Sequence, residues 1–451
     1  MKSQTSKKDE LEFVVSNATA KEAGTVPGES IRIDPSIEKS VLRKLDFKLL
    51  PVLSLMYFFN SLDRSNLGNA KTDGIDQNLK LGQRYASSMC SIQLCWHAGM
   101  PTVMGIFEAG FFAGVIFYLT QFYKRNEIAF RLSIFYGMVT IAGAFSGLIA
   151  FGVFQIKEDL PGWKYLFLIE GGATIIIATF AAWWLPLSGS KCHWFNEAES
   201  QVAQMRLLQD GSVRTTDRLS ITEALGALLD WRVLVWAVSC FCFGVAQSSV
   251  SNFLPQMVAL QGYSAVKTNL YTVAPYCVGT VVLWIIAKSS DHFRERSFHL
   301  ATALIITFIG YVILATVDPN TNKGVAYFAC FLLAAGAFVP SSIFHSWHTN
   351  NVTDESQRAA TVGFLVGSAN CAGIPSSLSF KAETAPRYMP ALIVNCVFLL
   401  VGASVVIGLG TWFRLDNRKR DKEQGVRLTA GDVATQNLVG GWKDPKWRWT
   451  P

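Results

Sequence analysis

LLPVLSLMYFFNSLDRSNLGNA, residues 49–70, is an apolar run with Asp63 and Arg64 side by side about two-thirds of the way along it. Wound as a helix it is long enough to cross a bilayer. Ionisable groups at such depth are costly. They face a water-filled or protein-lined cavity and mark the route of an ion or a substrate. Tyr57, Asn60 and Arg64 recur at three- and four-residue spacing, so one polar stripe runs along a greasy rod, and Gly68 continues that face without a side chain. The competing reading, an Asp–Arg pair snorkelling to the headgroups, leaves this stripe unexplained.

Outward from this run, the chain has 451 residues, half of them hydrophobic and 16% charged, against about a quarter charged in soluble domains. The charges gather in short blocks between apolar stretches, the pattern of a polytopic helical membrane protein. Further spans fall at about Pro101–Tyr123, Phe130–Phe154 and Trp163–Pro186, then at 231–257, 269–288, 298–317, 324–346, 359–379 and 389–413. This gives ten. The organisation expected is a cytoplasmic tail 1–47, an amino-terminal helical half 48–186, a central cytoplasmic loop 187–230, a six-helix carboxy-terminal half 231–413 and a basic cytoplasmic tail 414–451. Putting the amino terminus inside places Lys124, Arg125, Arg131, Lys288, Arg294, Arg296 and the cluster Arg414, Arg418, Lys419 and Arg420 inside as well. The sequons at Asn17 and Asn351 then lie in the cytoplasm, unused. The net charge of +7 sits in loops and tails and is no nucleic-acid footprint. No cleavable signal peptide is read in residues 1–47.

Glu108, in GIFEAGFFAG, is a carboxylate within the second span. Beside a fixed cation such as Arg64 it stays ionised, and desolvated alone it takes up a proton, the toggling that proton coupling requires. A structural ion pair is the alternative. Asn370, in GSANCAGIPSS, and Asn60 are polar at mid-depth, suited either to a substrate or to a helix–helix hydrogen bond. Glu170, near one interface, reads as structural. Gln247, Ser248, Ser249, Ser251 and Asn252 polarise the fifth span without a ranking among them. His345 and His348, three apart and without a third ligand nearby, read as an interfacial cap rather than a metal site. Nine cysteines without a CxxC pair read as small core residues. GxxxxGK[ST], HExxH, GxSxG and DDxxD patterns are missing, so the chain is not read as an enzyme, and neither metal nor cofactor is expected.

LDRSNLGNAK (62–71), GIFEAGFFAGVIFYL (105–119), GWKYLFLIEGGAT (162–174), SDHFRER (290–296), NNVTDESQRAATVGFLVGSANCAGI (350–374) and AETAPRYMPA (382–391) resemble the major facilitator superfamily. More narrowly they resemble its anion:cation symporter family, in the fungal allantoate, nicotinate and pantothenate permease branch. The resemblance implies an all-α facilitator bundle and a monomer in the plasma membrane with both termini cytoplasmic. It implies proton-coupled uptake of a small organic carboxylate, such as a vitamin or nitrogen-source anion. By the resemblance Arg64 would contact the carboxylate, and Asp63 and Glu108 would carry protons; Asn60 and Asn370, read above from their position, are the further substrate-binding candidates. The family has twelve spans, two of them between its first-span motif and its F-E-A-G helix. Here about 35 residues separate Ala70 from Gly105, and Tyr85–Met100 matches nothing in the pattern. The amino-terminal half is therefore expected to lack the second and third family helices. A non-transporting isoform or regulatory remnant is the second reading.

Overall fold

A computed structural model describes residues 34–72, 110–124, 127–153, 156, 162–189, 192–210, 221–259, 261–262, 265–319, 321–352, 355–380, 384, 387–430, 432–433 and 441–451. The described segments are helices joined by turns. In chain order these are α1 (Pro35–Lys48), α2 (Leu50–Thr72), α3 (Phe111–Thr120), α4 (Ile128–Val153), α5 (Gly162–Trp184), α6 (Glu197–Asp210), α7 (Ile221–Leu228), α8 (Trp231–Ala259), α9 (Ala265–Phe293), α10 (Ser297–Thr316), α11 (Lys323–Ala337), α12 (Val339–Asn350), α13 (Glu355–Cys371), α14 (Gly373–Ser379) and α15 (Met389–Gln424). Among the described residues, eight helices are long and apolar enough to cross a membrane. Of the ten expected spans, the other two correspond to α3, described over ten residues, and to α13 with α14.

Proline chemistry explains where the spans break. Pro340 follows the interruption at Phe338, and Pro375 follows the one at Ala372. Each proline removes a backbone donor and crowds the carbonyl four residues earlier. Pro255 and Pro275 sit inside α8 and α9, which continue through them. At the other extreme of regularity, α1 starts cleanly, with Pro35 in the first turn and the Asp34 carboxylate accepting from the Ser36 amide at 2.8 Å.

The amino-terminal half packs α2 against α4 and α5. Helix α5 leaves Ile175, Ile176 and Trp183 about 70% exposed, the surface of a helix solvated by hydrocarbon rather than water. In the carboxy-terminal half α8 lies on α13 and α15, α10 on α11 and α15, and α9 on α11. The halves join chiefly where α4 runs along α9; α12 also reaches α4, and α13 reaches α3.

Ion pairs collect at one end of the bundle. Arg131 donates to Asp46 through Nε at 2.8 Å and Nη2 at 2.9 Å, and the Tyr123 hydroxyl donates to the same carboxylate at 3.0 Å. Glu38 pairs with Lys124 at 2.5 Å, Arg206 of α6 pairs with Glu127, and Lys44 pairs with Glu199 at 2.6 Å. The central segment and α1 are thus fastened to the loop between α3 and α4. The same end holds Asp291, which accepts from the Phe130 amide at 2.7 Å and pairs with Arg296 at 2.5 Å.

The chain after residue 413 is built into this end too. Helix α15 runs without interruption to Gln424 and stops at Gly425, which takes the left-handed conformation (φ 66°) that suits glycine. Residues 441–451 then return across the carboxy-terminal half as a strap. Trp449 stacks on Phe413 at 4.7 Å, and its indole donates to Asp416 at 2.8 Å. Its amide and carbonyl are both held by Asn417. The Asn351 side chain receives the Thr450 amide at 2.9 Å and donates to the Thr450 carbonyl at 3.0 Å, which also accepts from the Trp347 indole at 2.8 Å. Arg448 bonds Asp421 and Gln424, and the Arg296 amide donates to the Pro451 carbonyl. Trp447, Arg448 and Trp449 are almost wholly buried.

Truncating a buried aromatic costs about 3–5 kcal/mol in well-packed interiors. Trp449→Ala is therefore expected to lower the thermal midpoint of the purified protein by several degrees. Trp442→Ala, at a 41% exposed position, should cost much less. Equal midpoints for Trp449→Ala and the parent would show that the strap is a surface ornament.

Candidate functional site

The polar stripe of α2 begins at the junction of α2, α3 and α4. Tyr57 is buried, its ring stacked on Phe135 of α4 at 4.3 Å and on Phe112 of α3 at 5.6 Å, with Phe111 and Tyr136 within about 6 Å. Stacked and tilted aromatic rings at these separations attract beyond their area of contact. One turn on, Asn60 is half-buried, and Asp63 is half-buried after it. Arg64 stands on α2 two turns beyond Tyr57, about 10 Å along the axis at 1.5 Å per residue. Glu108 lies outside the described residues. Asn370 is exposed, next to the last residue of α13. The α2 residues are therefore together on one helix, while Asn370 sits in the other half.

The carboxy-terminal half contributes polar groups to the same junction that the sequence left unranked or read differently. Gln247 of α8 donates through Nε2 to the Tyr136 hydroxyl of α4 and accepts at Oε1 from the Ser341 hydroxyl of α12 at 2.5 Å. His345, one turn beyond Ser341, places its ring edge-on to Phe112 at 5.4 Å and to Phe344 at 5.5 Å. The histidine pair is not an interfacial cap. His345 and His348 are each about 1% exposed, and the latter packs against Trp236 at 5.5 Å. Their neighbours are Phe and Trp rings, which explains the burial: the whole of α12 is buried, by neighbouring helices and, at Trp347, by the strap. Among the described residues no cluster of three potential metal ligands occurs.

Along the seam between halves, α4 and α9 meet over about four turns. The Thr140 and Thr280 hydroxyls bond at 2.5 Å, and the Trp284 indole donates to the Ser133 carbonyl at 3.2 Å. Gly137 is needed there, because a Cβ would lie 2.9 Å from Trp284 Nε1. Tyr276 lies over Gly143 further along. Thr140 and the Ser133 carbonyl find partners on α9, and the Ser133 and Ser146 hydroxyls bond carbonyls of α4 itself, so these groups are hidden from lipid without requiring water.

Closing the carboxy-terminal half at its charged end is Glu295, in the turn between α9 and α10. Its carboxylate accepts from Ser297 Oγ at 2.7 Å, the Phe298 amide at 3.0 Å, Arg414 at 2.5 Å and His299 Nδ1 at 3.2 Å. Burial alone raises its pKa, but these donors outweigh burial and hold it below the usual carboxylate value. Arg294 next to it adopts the left-handed region (φ 52°), which folds the turn tightly enough for Arg296 to reach Asp291.

The geometry can do two things. It ties segments of each half together with ion pairs at one end, and it brings hydrogen-bonding side chains of both halves to one place. Tyr136 gave no signal in the sequence, being one aromatic in an apolar run. Gln247 stood in a polar run whose helical phase, once known, would have singled it out.

The sequence profile described as Major Facilitator Superfamily matches residues 86–377. The match takes in most of Tyr85–Met100, the stretch without counterpart in the motifs above. The chain is 50% identical to the MFS-type transporter efuF of Hormonema carpetanum, covering 98% of each chain, and 43% identical to the major facilitator-type transporter hxnP of Emericella nidulans, covering 93% of this chain and 94% of that one. It is 25% identical to the high-affinity nicotinic acid transporter of Saccharomyces cerevisiae, with 86% and 80% covered. The alignment with the first runs over 487 residues, longer than the 451 of this chain, so that relative carries residues with no counterpart here. Among solved structures the fold resembles the proton:xylose symporter XylE bound to 6-bromo-6-deoxy-D-glucose, with a TM-score of 0.53, 13% identity, and 83% of this chain and 86% of that chain covered.

A carboxylate with a depressed folded-state pKa stabilises the protein above its unfolded pKa, near 4.5, and loses that contribution as pH falls through the folded value. The thermal midpoint should therefore drop below about pH 4.5. Glu295→Gln should lower the midpoint at neutral pH and flatten part of that acid limb. An acid limb identical to the parent's would remove Glu295 from the account.

Proposed function

This chain belongs to the major facilitator superfamily, and from that premise we propose that it takes up a small organic carboxylate, driven by protons, by alternating exposure of one site between its two halves. The observation that carries the reading is the α2 stripe: Tyr57 lies where both halves meet, and Arg64 follows two turns along the same face of the helix. A guanidinium at that depth is a fixed cation, and its planar donor fork suits a carboxylate. Asn60 and Asn370 are proposed as further substrate contacts, and Asp63 and Glu108 as the proton carriers. A proton travelling with the anion lowers the cost of moving negative charge against an inside-negative potential. The name of the Saccharomyces cerevisiae relative, a nicotinic acid transporter, supports a carboxylate as cargo and makes nicotinate the first probe. The charged end, with its Arg and Lys side chains and the strap, is proposed to face the cytoplasm of the plasma membrane, and the working unit is proposed to be a monomer.

A second reading rests on the length of the alignment with the Hormonema carpetanum relative. Residues missing between Arg84 and Gly105 would remove two helices of the cavity wall and leave a chain that folds without turnover. Absence of uptake by the chain as it stands, with uptake regained on inserting the relative's extra residues, decides for that reading.

Arg64→Ala is expected to abolish nicotinate uptake at unchanged membrane abundance, and Arg64→Lys to rescue poorly. Normal uptake by the alanine variant would exclude Arg64 from the site. Glu108→Gln, which mimics the protonated acid, should cripple accumulation more than counterflow exchange, and Asp63→Asn should do the same. Accumulation that keeps its pH dependence in both variants would place coupling elsewhere.

A further inference from the structure

We infer that Gln247 is a positioning residue that latches the two halves together in the middle of the bundle, beside the α4–α9 seam, which acts as the fulcrum about which they part. The inference rests on the proposed alternating movement but not on the cargo or the coupling ion.

The seam and the latch differ in how they would respond to rocking. Helix α4 lies along α9 from Phe130 opposite Asp291 to Gly143 under Tyr276, with Gly137 letting the Trp284 indole approach closely. Two helices packed over that length roll on each other without losing contact. Helix α8, by contrast, does not lie along α4, whose neighbours in the carboxy-terminal half are α9 and α12. Gln247 crosses the remaining gap with a side chain. Both ends of its amide are used, Nε2 on Tyr136 of the amino-terminal half and Oε1 on Ser341 of its own half. A hydrogen bond made at the end of a side chain's reach is lost with a displacement of an ångström or so, because its strength falls steeply with distance and angle.

The contacts around the latch are of the same separable kind. Phe112 of α3 meets His345 of α12 edge-on, and Tyr57 rests on Phe112 and Phe135. Freed by a small rotation, α2 would move away from α12 and open a path past Tyr57, with α3 turning on its packing against α13. With Ser341 fixing the carbonyl end of the Gln247 amide, its NH2 is presented to Tyr136 in the closed arrangement, which makes Gln247 a determinant of the closed population rather than of either half's fold.

The test is hydrogen–deuterium exchange of the full chain in lipid nanodiscs without cargo. Gln247→Leu removes both bonds at similar volume, and Tyr136→Phe removes one hydroxyl while keeping the ring. Ser249→Ala is the control, since Ser249 bonds Ser376 at 2.8 Å wholly inside the carboxy-terminal half. Loss of one neutral hydrogen bond shifts a two-state ratio by roughly two- to tenfold. Gln247→Leu and Tyr136→Phe should each speed exchange by about that factor in residues 50–62, 111–120 and 339–350, with residues 276–289 of the seam unchanged. Ser249→Ala should leave the first three segments at the parental rate. The proposal is overturned if neither cross-half variant speeds those segments, if the seam speeds equally with them, or if Ser249→Ala reproduces their pattern. Because no transport is measured, an incorrect assignment of cargo or proton coupling leaves this result unaffected.

Discussion

The packing of α4 on α9 is the constraint from which the rest follows. Within a hydrocarbon layer there is no water to satisfy stray polar groups, and no hydrophobic effect to press one apolar helix against another. The halves must therefore be joined by close contact and by hydrogen bonds that leave nothing unpaired. Thr140 with Thr280, Trp284 with the Ser133 carbonyl, and the bare backbone at Gly137 do this in sequence along one line. Once that line is fixed, α2 must lie against the other side of α4, which brings Tyr57 to Phe135. Helix α12 must come against α4 as well, which encloses His345 and sets Ser341 beside Gln247.

Polarity is handled differently at the two levels of the molecule. In the middle the halves are joined by short-range hydrogen bonds among neutral groups such as Tyr136, Gln247 and Ser341. At the charged end polarity takes the form of ion pairs, where Asp46 with Arg131, Glu38 with Lys124 and Glu295 with Arg414 connect segments far apart in the chain. Partly exposed pairs of this kind contribute little singly. Here they share members, since Arg206 lies against both Glu127 and Glu38, so each side chain ordered by one pair is already ordered for the next.

How much of this was legible in the sequence depends on the length scale of the signal. Spans are legible because burial in lipid demands about twenty apolar residues in a row, and the runs beginning at Leu49, Phe130 and Trp231 show it. The polar stripe through Tyr57 and Asn60 is legible because helical phase is local. Breaks at Phe338 and Ala372 were half legible: proline announces a disturbance, yet the helices through Pro255 and Pro275 run on, and only packing decides between a kink and a break. His345 and His348 were misread because nearness in sequence to a polar loop says nothing of the enclosure of α12. Gln247 was visible but unranked, since its value comes from Tyr136 more than a hundred residues away. Glu108 falls outside the described residues, so its sequence signal stands on its own.

The strap over the carboxy-terminal half has a consequence for biosynthesis. Trp347, Asn351 and Arg296 find their partners in residues 450 and 451, about 100 or more positions later in the chain. While a ribosome is still translating that interval, the membrane helices can be inserted and packed, but this patch of their surface has an open set of donors and exposed aromatic rings. The tail's arrival closes that patch, pairing the waiting donors and covering the rings, so the finish of this surface comes later in synthesis than the packing of the helices beneath it.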